Sequence, residues 1–386
     1  MQPGRTSRTR FSLILSAWLV FSLPIAGGSS EAAETPAYKS AILMEAKTGK
    51  VLYEYQADEK GIPASIVKMM VMLLTVEAVK KGVFSLDQDV TVSTEASRMG
   101  GSQVYLKEGE IFPLGTLLKA VTISSANDAS YAIAEHMAGT IEAMVELMNE
   151  RAKELGMSKT RYTNVHGLPP APGQEQDYTS ARDTAILAKE IIKHPLLLKW
   201  TGRWKDTIRE GKFTLFNTNR NLLRTFRGMD GIKTGYYKKA GYNLCATARR
   251  SNMRLISVVL GTATRKGRDK ETRKLLLQGF RLYEWKTFFA KDAVIGKPVP
   301  VLGGKKKKIK VVAAGPVSLI VKRFNAPKLK TRVNIQSPLK APLKKGQQVG
   351  EVSVILEEVV VGQTPLLASE DVKKLSLLDR LMFWKR

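Results

Sequence analysis

This sequence has almost none of the residues on which disulfide, thiol and metal chemistry depend. Its 386 residues include one cysteine and three histidines. A single cysteine cannot form an intramolecular disulfide. Because Cys245 lies in the apolar run 242–248, we predict a buried structural thiol without a catalytic role. His136, His166 and His194 show no ligand spacing, so we expect no metal site and no cofactor.

Long apolar runs are also scarce, and the main one lies close to the N-terminus. Three arginines precede the apolar run 11–25, and small residues follow it. The run is shorter than the roughly 20 residues of a membrane-spanning helix, and serines and Pro24 interrupt it. This pattern predicts a signal peptide over 1–32, cleaved near Ala32, and not a membrane anchor. We therefore expect the rest of the chain to be exported to the periplasm or the outer face of the cytoplasmic membrane.

Acidic residues are outnumbered by basic ones. The chain has 62 Lys and Arg against 35 Asp and Glu, which gives a formal net charge of +27. Residues 291–386 carry 20 basic and 7 acidic side chains. Such a surface attracts anions, and an exported chain meets lipid headgroups and cell-wall polymers. No nucleic-acid-binding motif with interleaved aromatic residues is present, so we expect no nucleic-acid partner.

The apolar pattern predicts an α/β domain followed by a small all-β domain. In the first, we predict a hairpin over 39–55 and then mostly helices up to residue 155. After Gly231 the pattern changes to three strands of an antiparallel meander, followed by a helix from about Lys270 to Lys286. Later β-rich runs, separated by Gly and Pro, are Ile309 to Val312, Val317 to Val321, Arg332 to Ile335 and Glu351 to Val361. We place the two domains at 36–288 and 292–366.

The last residues have the pattern of an amphipathic helix. Leu375, Leu378, Leu381 and Met382 fall on one helical stripe, and basic residues surround them. Such a segment can lie in a membrane interface, so we predict a tail over 367–386 that binds an anionic membrane surface. A frayed or core-docked terminal helix is the alternative.

Three short signatures, in a fixed order, carry the chemistry of the sequence: Ser65-Ile66-Val67-Lys68, Ser125-Ala126-Asn127 and Lys233-Thr234-Gly235. Singly they are weak, as a second Ser-x-x-Lys at 337–340 demonstrates. Residues i and i+3 share one face of a helix, so the first signature brings the amine of Lys68 to the hydroxyl of Ser65. Burial and a second nearby cation would keep that amine neutral, as a base must be.

The other two signatures have simpler explanations when each is taken alone. Ser125 and Asn127 fall in a polar turn between two predicted helices, where helix capping is their ordinary role. Lys233 begins a predicted strand, and Gly235 would let a substrate backbone approach closely. The alternative for this segment is a surface strand that happens to carry a lysine. The order of all three signatures favours one shared catalytic cleft.

The sequence resembles the low-molecular-weight penicillin-binding DD-carboxypeptidases over nearly all of the predicted mature chain. The segments that carry the resemblance beyond the three signatures are Pro63-Ala64 before Ser65, Asp230-Gly231-Ile232 before Lys233, Ala240 to Leu244, and Lys266-Gly267-Arg268. The resemblance implies a DD-peptidase/β-lactamase-like α/β domain with a central antiparallel sheet flanked by helices, and then a β-sandwich. Ile66 and Val67 depart from the threonines that the family often has there.

The resemblance also implies a role for each site residue. Ser65 would be the acylated nucleophile, Lys68 its general base and Ser125 a proton relay toward the leaving amine. The remaining implied roles are binding of the substrate amide by Asn127, positive potential from Lys233, binding of the terminal carboxylate by Thr234 and Arg268, close approach at Gly235, and an oxyanion hole formed by the N–H groups of Ser65 and Tyr236.

The function that follows is removal of the terminal D-alanine from peptidoglycan stem pentapeptides through an acyl-enzyme, with β-lactam antibiotics as inhibitors. A DD-endopeptidase and a β-lactamase share the same signatures. No Glu-x-x-Leu-Asn run lies between Asn127 and Lys233 to supply the deacylating glutamate of a class A β-lactamase. A non-catalytic cell-wall scaffold is a further alternative, which the six intact signature side chains argue against.

Overall fold

A five-stranded antiparallel sheet, in the order β2-β1-β9-β8-β7, forms the centre of the larger part of the molecule. The computed structural model describes residues 36–376, so the predicted signal peptide lies outside the described residues. The elements of this part are β1 (Ser40–Glu45), β2 (Val51–Tyr55), α1 (Lys68–Lys80), β3 (Asp89–Thr91), α2 (Thr94–Ser97), β4 (Ile111–Pro113), α3 (Leu114–Ser124), α4 (Asn127–Ala138), α5 (Ile141–Glu154), α6 (Ala181–Ile191), α7 (Pro195–Thr201), β5 (Lys205–Ile208), β6 (Phe213–Phe216), α8 (Arg220–Thr225), β7 (Met229–Tyr237), β8 (Gly241–Arg250), β9 (Met253–Thr262) and α9 (Arg265–Leu282).

Both faces of the central sheet are buried against helices. Along β1, Ile42 and Met44 belong to the core that includes α1, whereas Ala41 and Leu43 belong to the core that includes α9. This alternation follows from the period of two of a β-strand. The predicted α/β class, with an antiparallel sheet flanked by helices, is confirmed.

Helix α1 crosses the interior of this part, as its uninterrupted apolar sequence predicts. Its residues from Lys68 to Leu73 are fully buried. A 3₁₀ turn over Ala64–Val67 leads into it. The predicted hairpin (β1 and β2) and the predicted meander (β7 to β9) are likewise confirmed.

The helix predicted from about Lys270 to Lys286 is displaced toward the N-terminus. Helix α9 begins after Thr264, whose Oγ1 accepts a hydrogen bond from the N–H of Gly267 at 3.0 Å. This is an ordinary N-cap, which the basic sequence around it obscured. After Leu282 the chain becomes a strand over Tyr283–Phe289, because its aromatic residues pair with a strand of the second part.

Among the described residues, which reach 376, the second part of the molecule is all-β apart from one 3₁₀ segment, Arg323–Lys328. Its core contains valine, leucine and isoleucine side chains from strands distant in sequence, such as Val301, Val352 and Leu366. Its strands are β10 (Tyr283–Phe289), β11 (Val299–Leu302), β12 (Lys308–Ile309), β13 (Val311–Ala313), β14 (Val317–Lys322), β15 (Lys330–Ile335), β16 (Leu339–Lys340), β17 (Gln348–Leu356) and β18 (Val359–Ala368).

Two features of this part differ from the prediction. The β-rich run Glu351 to Val361 is a hairpin, in which Glu357 and Glu358 form the turn with left-handed φ angles of 47° and 67°. The predicted tail over 367–386 begins inside β18, and residue 374 still bridges to residue 304. Residues 377–386 lie outside the described residues. Within 36–376, none of the helices combines the length and the apolar character needed to cross a bilayer.

Candidate active site

The first signature places a hydroxyl and a buried amine side by side. Lys68 Nζ lies 3.0 Å from Ser65 Oγ, and it also donates a short hydrogen bond to the backbone carbonyl of His166. The 3₁₀ turn at Ala64–Val67 makes this contact possible, because it places residues three apart on the same side of the chain. The lone pair of a neutral Lys68 could therefore accept the proton of Ser65.

The surroundings of Lys68 favour the neutral amine. Its side chain is 0% exposed. Burial lowers the pKa of Lys68 well below its ordinary value, and the positive charge of Lys233 lowers it further, while Asp128 acts in the opposite direction. A lysine can act as a base only when its amine is neutral, and the low pKa of Lys68 meets this condition, as the sequence suggested.

The second and third signatures meet through a hydrogen bond. Lys233 Nζ, on β7, donates to Ser125 Oγ at 2.7 Å. Ser125 ends α3 in a left-handed conformation with φ 64°. Burial lowers the pKa of Lys233 to about 7, and the nearby Arg268 contributes to the same shift. The two signatures therefore form one buried polar group, as their order in the sequence suggested.

Strand β7 packs closely against the residues that precede Ser65. A Cβ atom added to Gly235 would lie 2.3 Å from the carbonyl oxygen of Pro63. From the neighbouring strand, Asn243 Nδ2 donates to the carbonyls of Ile62 and Pro63 at 2.8 and 3.2 Å. The glycine of the third signature is thus needed for the packing of β7 beside the turn that carries Ser65.

Three further predicted residues lie on β7 and α9. Thr234 Oγ1 donates to Thr218 Oγ1 at 2.7 Å, and the guanidinium of Arg268 is buried and paired with Asp269. Tyr236 is 53% exposed and stacks on the ring of Tyr242, with 4.0 Å between the ring centroids.

Asn127 is oriented by a loop that precedes it in the sequence. Its Nδ2 donates to the carbonyl of Gly100 at 2.6 Å, and its backbone N–H donates to the carbonyl of Ser102. Its Oδ1 has no hydrogen-bond partner among the described residues. The amide is thus fixed at one end and keeps an acceptor unused at the other.

A loop without a recognisable motif supports the Ser65–Lys68 pair. Asn164 Oδ1 accepts hydrogen bonds from the N–H groups of His166 and Gly167 at 3.0 and 2.5 Å. Burial and the charge of Lys68 lower the pKa of His166 to about 4, so its ring is neutral near pH 7. Its backbone carbonyl touches Lys68, and a backbone contact leaves no pattern in side-chain spacing.

Gly167 lies directly against the turn that carries Ser65. A Cβ at Gly167 would lie 2.1 Å from the carbonyl oxygen of Ala64, and the residue has φ 73°. We predict that Gly167→Ala lowers the rate of acylation by at least about tenfold, because the loop or the turn must move and a 1 Å displacement of reacting groups is costly. Stopped-flow kinetics with a chromogenic β-lactam measure this rate.

Gly173 provides a matched control within the same segment. It also has a left-handed φ, of 83°, but a Cβ there would meet no atom within 4 Å. Gly173→Ala therefore carries the backbone strain of about 1 to 2 kcal/mol without the collision. Equal acylation rates in the two variants would show that the contact with Ala64 is unimportant.

Comparison with known proteins connects this geometry to one family. Residues 28–264 match the family model described as D-alanyl-D-alanine carboxypeptidase, and residues 283–374 match the one described as the C-terminal domain of penicillin-binding protein 5. The chain is 40% identical over 347 residues to the D-alanyl-D-alanine carboxypeptidase DacF of Bacillus subtilis. The aligned region covers 89% of this chain and 88% of the relative. The identity to DacC of Escherichia coli is 37%, over 95% of this chain and 92% of the relative.

Solved structures of penicillin-binding proteins are also similar to this chain. Penicillin-binding protein 5 from Haemophilus influenzae is 33% identical and has a TM-score of 0.71, with 88% of this chain and 98% of that chain covered. Penicillin-binding protein D2 from Listeria monocytogenes, in its ampicillin-bound form, is 32% identical with a TM-score of 0.58 over 64% of this chain and 98% of that chain.

Proposed function

The chain belongs to the D-alanyl-D-alanine carboxypeptidase family and is a hydrolase of this type, and from this premise we propose which residues carry out its reaction. The observation that carries the proposal is the 3.0 Å contact between Ser65 Oγ and the fully buried amine of Lys68. Lys68 removes the proton of Ser65 while the oxygen attacks the carbonyl carbon of the penultimate D-alanine. The N–H groups of Ser65 and Tyr236 stabilise the oxyanion that forms.

The leaving amine receives its proton through Ser125. The hydroxyl of Ser125, oriented by the hydrogen bond from Lys233, gives its proton to the amine and takes up the proton that Lys68 removed from Ser65, so Lys68 is neutral again. The peptide C–N bond then breaks, D-alanine leaves and an ester with Ser65 remains. In the second half of the reaction, Lys68 accepts a proton from the water that attacks this ester and returns it to Ser65 Oγ as the shortened peptide is released.

Recognition of the substrate depends on the positive end of the cleft. Thr234 and Arg268 bind the terminal carboxylate of the D-Ala-D-Ala end, and Lys233 adds positive potential close to them. Asn127 contacts the substrate amide on the acyl side. Because the proposed reaction acylates Ser65, a β-lactam, which forms a stable acyl-serine, should react with Ser65 as well. The ampicillin-bound Listeria relative supports this assignment.

A labelling experiment tests the assignment of the nucleophile. The purified chain is incubated with a fluorescent penicillin and digested, and the modified peptide is identified by mass spectrometry. We expect the label on the peptide that contains Ser65, and release of D-alanine from a stem pentapeptide by the same preparation. A label at another serine would reject the assignment even if D-alanine were released.

We also propose that the chain acts on peptidoglycan outside the cytoplasm as two functional units, a peptidase domain over 36–288 and a β-domain over 292–366. Strand β10, which pairs with β14, lies at their boundary. The predicted signal peptide and the membrane-binding tail support this location. The basic surplus of residues 291–386 would favour the approach of the β-domain to an anionic bilayer.

Removal of residues 375–386 tests the membrane assignment. We predict that the truncated protein moves from the membrane fraction to the soluble fraction, because the apolar stripe of the tail is lost. Sedimentation of both proteins with vesicles that contain anionic lipid measures the change. The truncation should leave D-alanine release in solution intact, and unchanged sedimentation would contradict the prediction.

A further inference from the structure

A second cluster of positive charge lies beside the catalytic cleft. Arg220 and Arg224 of α8 and Arg265 at the start of α9 line a cavity of about 320 Å³, together with Asn221 and Thr225. We call it the arginine cavity. None of its five lining residues is acidic, and none of the three arginines forms an ion pair with a carboxylate in the part of the chain that the structure describes.

The arginines of the cavity are held by contacts that do not neutralise them. The guanidinium of Arg220 lies 5.6 Å from the ring centroid of Phe216, and that of Arg224 lies 5.1 Å from Trp204. Stacking on an aromatic face orients a guanidinium and leaves its N–H donors available. Like charges converging on one space repel each other, and an anion between them would remove that repulsion.

A fourth guanidinium supports one side of the cavity. Arg273 Nη2 donates to Thr225 Oγ1 at 2.7 Å, and its Nη1 donates to the carbonyl of the same residue. This contact joins α9 to the end of α8, so the two helices that carry the arginines are connected. Thr225 is thus held by α9, and the lining of the cavity carries an unbalanced positive charge.

The arginine cavity adjoins the end of the cleft that binds the terminal carboxylate. Arg265 precedes Arg268 by three residues on α9, so the two lie one turn apart. Asn221 Nδ2 donates to Asp269, which is the ion-pair partner of Arg268. On the other wall, Arg220 follows Thr218 closely, and Thr218 holds the hydroxyl of Thr234.

We propose that the arginine cavity binds a second carboxylate, carried by the leaving group of the substrate. This inference rests on the proposed function, because it takes Thr234 and Arg268 as the site of the first carboxylate. A single D-alanine has no other charge to place in the cavity. The structure is thus suited to acidic leaving residues and to acidic leaving peptides, such as the acceptor side of a cross-link. The bond broken and the acyl-enzyme formed are the same as for D-alanine.

Two substrates that differ only in one charge test the proposal. The full chain is assayed with N-acetylated peptides ending in D-Ala-D-Glu and D-Ala-D-Gln, which have nearly the same shape. We expect kcat/KM to be about tenfold higher for the D-Glu peptide at low salt, since several partly exposed charge pairs add modestly. High salt should reduce this ratio, because exposed charges are screened.

Variants of the cavity then locate the effect. Arg224→Gln and Arg265→Gln should each lower the D-Glu to D-Gln ratio, and the double variant should bring it to about one. Arg281→Gln, an exposed arginine at the other end of α9, is the matched control and should keep the wild-type ratio. Labelling by a fluorescent penicillin checks that each variant is folded.

The outcomes separate this proposal from the assignment of the nucleophile. If a D-Ala-D-Ala peptide is not cleaved by the same preparation, or is still cleaved after Ser65 is replaced, the proposed function fails. If that peptide is cleaved but neither test peptide is, the cavity proposal fails alone. If both are cleaved at equal kcat/KM, or if the preference persists in the double variant, the cavity proposal fails alone. Equal kcat/KM together with loss of binding to phosphatidylglycerol vesicles in the double variant would assign the arginines to lipid phosphate and also overturn the proposal.

Discussion

Replacing Ser65 by alanine is expected to abolish the release of D-alanine and the covalent labelling by penicillin together. The hydroxyl is the only group that the proposed mechanism uses to form the acyl-enzyme. Its loss removes the covalent route and leaves only the binding and oxyanion contacts. We expect kcat/KM on a stem pentapeptide to fall at least about 10⁴-fold, as for other serine hydrolases without their nucleophile. D-Alanine release is measured with a coupled amino-acid oxidase assay.

The chain contains its own control for this substitution. Ser337 belongs to the second Ser-x-x-Lys sequence, which lies in the β-domain, and its side chain is exposed. Ser337→Ala should keep full activity and full labelling. Normal D-alanine release by Ser65→Ala would reject the mechanism. Loss of labelling in both variants would indicate a folding defect and not chemistry.

The comparison of these two serines also explains how much the sequence could predict. Both begin the same four-residue signature, yet Ser65 leads into a buried helix whereas Ser337 lies in an irregular, proline-containing segment of the β-domain. The long apolar run after Ser65 and the order of the other signatures are enough to distinguish the two serines by sequence. Local periodicity likewise identifies the central sheet, the main helices and the three elements that supply the site.

Some residues that support the site could not be predicted from local sequence patterns. The carbonyl of His166 is a hydrogen-bond acceptor for Lys68, and Gly167 allows the chain to pass over Ala64. Such roles depend on which segments meet after folding, so no spacing in the sequence reports them. Thr218 was missed for the same reason, since only the fold brings it to Thr234.

The errors in the predicted ends of helices and strands had a similar cause. The end of α9 at Leu282 is decided by the pairing of Tyr283–Phe289 with a strand about 30 residues later, and not by the local helical pattern. The turn at Glu357 and Glu358 uses left-handed conformations in residues that rarely adopt them. Strand pairing overrode local preference in both cases, at long range for α9 and within one hairpin for the turn.

Replacing Lys68 by methionine is expected to lower kcat/KM about 10³-fold, the usual effect of removing a general base. Methionine is an unbranched apolar side chain of similar length, so it can fill the buried space without leaving an unpaired charge. Lys340→Met, in the second Ser-x-x-Lys sequence, should have no effect. In Lys68→Met, acylation by penicillin should slow together with peptide hydrolysis, because both reactions need the same proton transfer.

The pH dependence distinguishes a base from a structural lysine. Because the pKa of Lys68 lies well below 10.5, kcat/KM should rise with pH as its amine becomes neutral. It should fall again as pH rises through the pKa of Lys233, about 7 in the free enzyme, because the carboxylate-binding charge is lost.

Lys233→Gln should therefore lose the alkaline limb and shift the acidic limb to higher pH, since a cation that lowers the pKa of Lys68 is gone. An acidic limb that stays in place in Lys233→Gln would show that a group other than Lys68 accepts the proton of Ser65. The measurement is kcat/KM across the pH range at constant ionic strength, because the charges involved respond to salt as well as to pH.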